Sequence, residues 1–116
     1  MKSIIIYYSQ TGNTKSIAEA IYRGMKQVDE DSHIVSLKNI DIQDLPGYDL
    51  IGIGSPVFGF REPPFITDFI DSWPSLKGKY GFSFCTHGTL AGAFVARTVA
   101  ALRGKGLTVV GWLSKE

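Results

Sequence analysis

The sequence predicts an α/β fold: a doubly wound, five-stranded parallel sheet in the order 2-1-3-4-5, apparently lacking its last helix. Three observations predict it. Short apolar runs alternate with longer runs of helical period along the chain. The apolar runs are continuous and rich in β-branched residues, as in strands buried on both faces. A polar turn, Ser9 to Thr14, separates the first strand from the first helix. A ligand loop there suits the order 2-1-3-4-5, because strands one and three are then neighbours whose C-terminal ends flank a crevice.

Ser3 to Tyr8 reads as the first strand, and Asn13 to Val28 as a helix whose apolar face holds Ile17, Ile21, Met25 and Val28. Gly24 costs helix propensity there, and is expected to let the helix approach the sheet closely. Asp29 to Ser32 is a solvated polar turn, and His33 to Leu37 a short second strand. Asn39 to Leu45 fits either a helical turn or an irregular crossover, closed by Pro46-Gly47. Leu50 to Gly54 is the third strand. Its glycines, Gly52 and Gly54, suggest close approach of a helix or a ligand. Ser55 to Pro64 is a loop dense in Gly, Pro and aromatics. Pro64 opens a helix reaching about Trp73 and burying Phe65, Phe69, Ile70 and Trp73. Tyr80 to Cys85 is the fourth strand, Thr86 to Thr89 a loop, and Ala91 to Leu102 an Ala-rich helix closed by Gly104 and Gly106. Leu107 to Leu113 is the fifth strand.

The 116 residues make one domain, with 44% hydrophobic and 20% charged residues and a formal charge of +1. Lys and Arg form no basic stripe, so nucleic acid is not an expected partner. One Cys excludes an internal disulfide, and with two His it leaves no structural zinc set. The first apolar run is too short for a signal peptide or a membrane span, so no membrane role is expected and a cytoplasmic location fits.

Chemistry concentrates in the loops after strands one, three and four, which this sheet order brings to one edge. The first carries the hydroxyls of Ser9, Thr11 and Thr14, the amides of Gln10 and Asn13, and Gly12. It has no Lys, Arg or carboxylate. Such a turn can surround a phosphate with N–H groups and hydroxyls, with the positive end of a helix dipole behind them. The second loop places Phe58 and Phe60 around Gly59, and the third holds Thr86-His87-Gly88. A ligand with an anionic tail and a flat aromatic head fits this division. A Walker A loop needs Gly-Lys-Ser/Thr, whereas Lys15 here follows Thr14. A dinucleotide fingerprint needs G-x-G-x-x-G, and this turn has a single glycine.

In Ser9-Gln10-Thr11-Gly12-Asn13-Thr14, Gly54-Ser55-Pro56-Val57-Phe58-Gly59 and Cys85-Thr86-His87-Gly88, the sequence resembles the flavodoxin-like FMN-binding domains across essentially its whole length. The resemblance implies FMN as cofactor. It implies that Ser9, Gln10, Thr11, Gly12, Asn13 and Thr14 bind the FMN phosphate. It places Ser55, Pro56, Val57, Phe58, Gly59 and Phe60 along the isoalloxazine, and Thr86, His87 and Gly88 against its pyrimidine side. The loop with Gly54-Ser55-Pro56-Val57 and the strand end with Cys85-Thr86-His87 are similar to flavodoxin modules preceding a ferredoxin-type iron–sulfur domain. The implied function is electron transfer with an iron–sulfur centre or redox partner protein, with no residue singled out as catalytic and no metal ligand set. An FMN-dependent NAD(P)H:quinone-type oxidoreductase and a cofactor-free flavodoxin-fold scaffold are the alternatives. The ring-facing loops hold one carboxylate, Glu62, beside Arg61 and His87. The reduced flavin is therefore expected to be disfavoured less than in an acid-rimmed flavodoxin.

Each of these residues also has a plainer role open to it. The first turn can serve as a helix N-cap alone. Phe58 and Phe60 can be core or partner contacts, and Cys85 a small buried hydrophobe. After the fifth strand, Leu113 to Glu116 offer no further helix. The chain is therefore expected to be C-terminally truncated or the front piece of a longer protein. The sheet face left bare would favour self-association as a homo-oligomer.

Overall fold

The computed structural model describes residues 1–8, 12–56, 65–86 and 92–115; side chains are described for these except Asn13, Phe65, residues 92–95 and residues 114–115. Strand β1 spans Ser3–Tyr7, helix α1 Asn13–Val28, β2 Ser32–Ser36, β3 Leu50–Pro56, α2 Phe65–Asp71, β4 Tyr80–Thr86, α3 Gly92–Gly104 and β5 Thr108–Lys115. The ambiguous stretch before β3 is a 3₁₀ helix, Ile42–Gly47. Asp41 starts it by accepting a hydrogen bond from the Gln43 amide at 3.0 Å.

The five strands are parallel and run in the order β2-β1-β3-β4-β5, as the sequence predicts. Two buried clusters flank the sheet because side chains alternate along each strand. Ile4 and Ile6 of β1 and Ile51 and Ile53 of β3 point to one side, where Ile66 and Ile70 of α2 and Leu102 of α3 cover them. Ile5 points to the other, where it meets Ala18 of α1 and Phe84 of β4. Trp73 lies beyond the end of α2 yet is only 2% exposed, held in the first cluster with Phe69 edge-on at 5.6 Å.

Gly52 and Gly54 do not admit a helix or a ligand; they admit the aromatic rings of the next strand. Register pairs Gly52 with Phe82 and Gly54 with Phe84. A Cβ on Gly54 would overlap the edge of the Phe84 ring at Cε2, and one on Gly52 the tip of the Phe82 ring at Cζ. β4 thus supplies the side-chain volume that β3 omits on this face.

Helix α1 keeps its expected bounds, but two of its expected contacts are absent. Val28 is 91% exposed. Gly24 is exposed, and a Cβ there would meet nothing within 4 Å, so it serves no close approach. Gly24→Ala should therefore stabilise the chain by about 1 kcal/mol through helix propensity alone. Urea unfolding checks this through an upward shift in midpoint.

Among the described residues, α1 is the only helix on the Ile5–Phe84 face. Toward the β5 edge that face leaves Tyr80 43% and Leu113 48% exposed. β5 departs from an even strand: Val109 pairs with Gly81 and Gly111 with Phe82, so Val110 is an extra, outward residue, 61% exposed. A groove of about 570 Å³ opens beside the end of α1, with Ser3, Gly24, Met25, Val28 and Leu50 among its walls.

Candidate functional site

The C-terminal ends of β1, β3 and β4 stand side by side, so the loops that follow them leave from one edge of the sheet. The Tyr8 amide donates to the Gly54 carbonyl at 2.9 Å, which carries the β1–β3 pairing to the last residue before the polar turn. Ser9, Gln10, Thr11, Val57, Phe58, Gly59, Phe60, His87 and Gly88 lie outside the described residues, as do Pro64, Arg61 and Glu62. Gly12, Thr14, Ser55, Pro56 and Thr86, and the backbone of Asn13, form the described rim of the site.

Gly12 is the N-cap of α1 and adopts φ 91°, ψ −12°, the left-handed region. Its carbonyl accepts from the Ser16 amide at 2.9 Å and from the Ser16 hydroxyl at 3.0 Å. Among the described residues no side chain caps the helix, and its first turn holds no acidic residue. The first N–H groups of a helix have no acceptor within it. Those of Asn13, Thr14 and Lys15 are in this position, at the positive end of the dipole.

Thr14 is buried at 1% exposure in the first turn of α1. Its hydroxyl lies 2.9 Å from the hydroxyl of Thr86, the last residue of β4. This bond joins the helix that follows the first loop to the strand that precedes the third. It follows from alternation: Thr86 lies on the same side of β4 as Phe82 and Phe84, which is the side that α1 covers. Sequence spacing alone does not reveal the pair, since 72 positions separate its members.

Ser55 is fully buried, and its hydroxyl donates to the Pro56 carbonyl at 3.2 Å. Cys85 registers with Ser55 on the neighbouring strand and is also fully buried. Desolvation pushes its thiol from 9.0 up to about 11. Thiol-specific reagents at pH 8 should therefore label the native chain far more slowly than the unfolded one. Because the folded state holds the proton more tightly, this contribution to stability is intact below about pH 9.0 and declines toward pH 11.

The described rim suits an anion: a helix whose first turn holds no acidic residue, a glycine in the turn, and two hydroxyls in mutual contact. It offers no metal site, since no group of three or more His, Cys, Asp or Glu side chains stands together among the described residues. No described helix is long and apolar enough to cross a membrane.

A model of the flavodoxin domain family matches residues 4–104. The flavodoxin of Megasphaera elsdenii is 31% identical over 113 residues, covering 92% of this chain and 80% of its own. The crystal structure of oxidised flavodoxin 2 from Bacillus cereus superposes with a TM-score of 0.85 at 29% identity, covering 99% of this chain and 84% of its own. A flavodoxin from the domain Archaea gives 0.79 at 27% identity, with 100% and 85% covered.

Proposed function

This chain belongs to the flavodoxin domain family, and from that membership we propose that it binds FMN and works as an electron-transfer domain. FMN, when bound, supplies the redox chemistry of its isoalloxazine. The chain's part is to hold, orient and shield it. Ser9, Gln10, Thr11, Gly12, Asn13 and Thr14 hold the phosphate. Ser55 to Phe60 flank the ring, and the backbone of Thr86, His87 and Gly88 closes its other side. The observation that carries this reading is the hydroxyl pair of Thr14 and Thr86 at an α1 start free of acidic side chains. An absorption spectrum tests it. Added FMN should stay with the protein through a desalting column and lose its fluorescence. Protein that elutes colourless would sink the reading.

Electrons pass to or from a redox partner protein, in our reading an iron–sulfur centre that is fused or separate. The loop with Gly54-Ser55-Pro56-Val57 and the strand end with Cys85-Thr86-His87 support it through their similarity to flavodoxin modules of that kind. With Glu62 the one carboxylate in the ring-facing loops, the midpoint potential for full reduction should lie above that of an acid-rimmed flavodoxin. A redox titration measures this, and an equally low value would remove the electrostatic argument. The uncovered apolar band with Tyr80 and Leu113 also supports a homo-oligomer joined through that face. Sedimentation velocity distinguishes this from a monomer.

A further inference from the structure

We infer that Thr86 is a positioning residue for the phosphate end of the site, acting through the Thr14 hydroxyl. The inference rests on the FMN reading and adds a role to one residue within it. Family resemblance alone puts Thr86 against the flavin ring. The structure places its hydroxyl elsewhere, 2.9 Å from the Thr14 hydroxyl at the start of α1. Thr14 is 1% exposed, so its hydroxyl has little access to water as an alternative partner.

Proton counting gives the pair a direction. Each hydroxyl has one proton to donate and two lone pairs to accept with. A bound phosphate is an anion and calls for donors. If Thr14 spends its single proton on the phosphate, its bond to Thr86 survives only with Thr86 as donor. The order is then Thr86 O–H to Thr14, and Thr14 O–H to phosphate. A donor chain of this kind polarises its middle member and strengthens the terminal bond. Thr86 thereby also fixes the Thr14 rotamer, which would otherwise be set by packing alone. β4 is a rigid central strand, paired on both sides along its length. It therefore anchors the phosphate end to the strand that carries the third loop.

The test separates the phosphate from the ring by titrating the full chain with FMN and with riboflavin, which lacks the phosphate, using flavin fluorescence. Thr86→Val keeps the shape and removes the hydroxyl. It should weaken FMN about fivefold, the worth of one hydrogen bond, and change riboflavin less than twofold. Thr86→Ser should restore FMN affinity. In a Thr14→Val background the valine at 86 should cost less than twofold more, because the chain it donates into is gone. Should valine unfold the protein, Thr86→Ala gives the same comparison. Equal weakening of both ligands, unchanged FMN binding, or a full fivefold loss in the Thr14→Val background would each overturn the inference. A wild-type chain that binds neither ligand removes the cofactor reading itself, and this inference with it, which is a different result from the other three.

Discussion

Gly54→Ala is expected to lower the thermal midpoint by roughly 10 °C, the largest stability effect of any single methyl group in the sheet. The new Cβ overlaps the edge of the Phe84 ring, which is itself fully buried between α1 and the strands. The ring has nowhere to go without moving Ala18 or Ile5. Overpacking of this kind costs about 3 kcal/mol at the upper end of its usual range. Gly52→Ala makes the same geometric conflict with Phe82, but Phe82 is only half-buried, at the margin of the cluster under α1. That ring swings outward, and the cost should stay below about 1 kcal/mol. Adding Phe84→Leu to Gly54→Ala should recover part of the loss, since the two positions share one space. Differential scanning calorimetry on the three variants and the parent chain decides the matter; equal costs for the two alanines would contradict the interlock.

Gly12→Val should reduce FMN affinity about a hundredfold while removing roughly 2 kcal/mol of stability. Crowding by the described residues is not the reason, because among them a Cβ at Gly12 would meet nothing within 4 Å. The reason is the backbone: φ is 91°, where a β-branched residue is strained. The strain is relieved by turning the peptide, which re-aims the amides at the start of α1. Gly12→Asn, which tolerates left-handed backbone, should lose less than tenfold. Fluorescence titration with FMN and a melting curve for each variant test the pair. Equal losses for Val and Asn would show that side-chain bulk, and not backbone conformation, governs the turn.

Much of this fold was readable in the residues because local and global signals agree. The run from Ile4 to Tyr7 is apolar and β-branched, and a parallel strand covered on both faces needs little else. The helix from Asn13 to Val28 has its bounds set by the polar turn before it and Asp29 after it. What escaped the sequence depends on neighbours that one strand cannot announce. Gly52 and Gly54 suggested a visitor to β3, and only the register with β4 shows the rings of Phe82 and Phe84 filling that space. Gly24 looked like a packing residue until the helix's orientation placed it toward solvent. The extra residue at Val110 has no signature in a run of apolar residues. At the site, the chemistry of the turn residues suggests an anion cradle, and Ser9, Gln10 and Thr11 lie outside the described residues. The bond between Thr14 and Thr86 has no such signal, since it joins distant positions through the stacking of α1 on the sheet.

The two tryptophans divide the molecule into separately observable parts. Trp73 is 2% exposed in the core beside α2, while Trp112 is 62% exposed on the edge strand. Native emission is therefore the sum of a blue, shielded component and a red, hydrated one. Unfolding shifts only the first to the red. Anything that comes to rest over the edge strand shifts only the second to the blue. A Trp112→Phe variant leaves a reporter of folding alone, and Trp73→Phe leaves a reporter of contact at the edge strand. One cuvette then distinguishes a chain that is losing its core from one that is acquiring a neighbour.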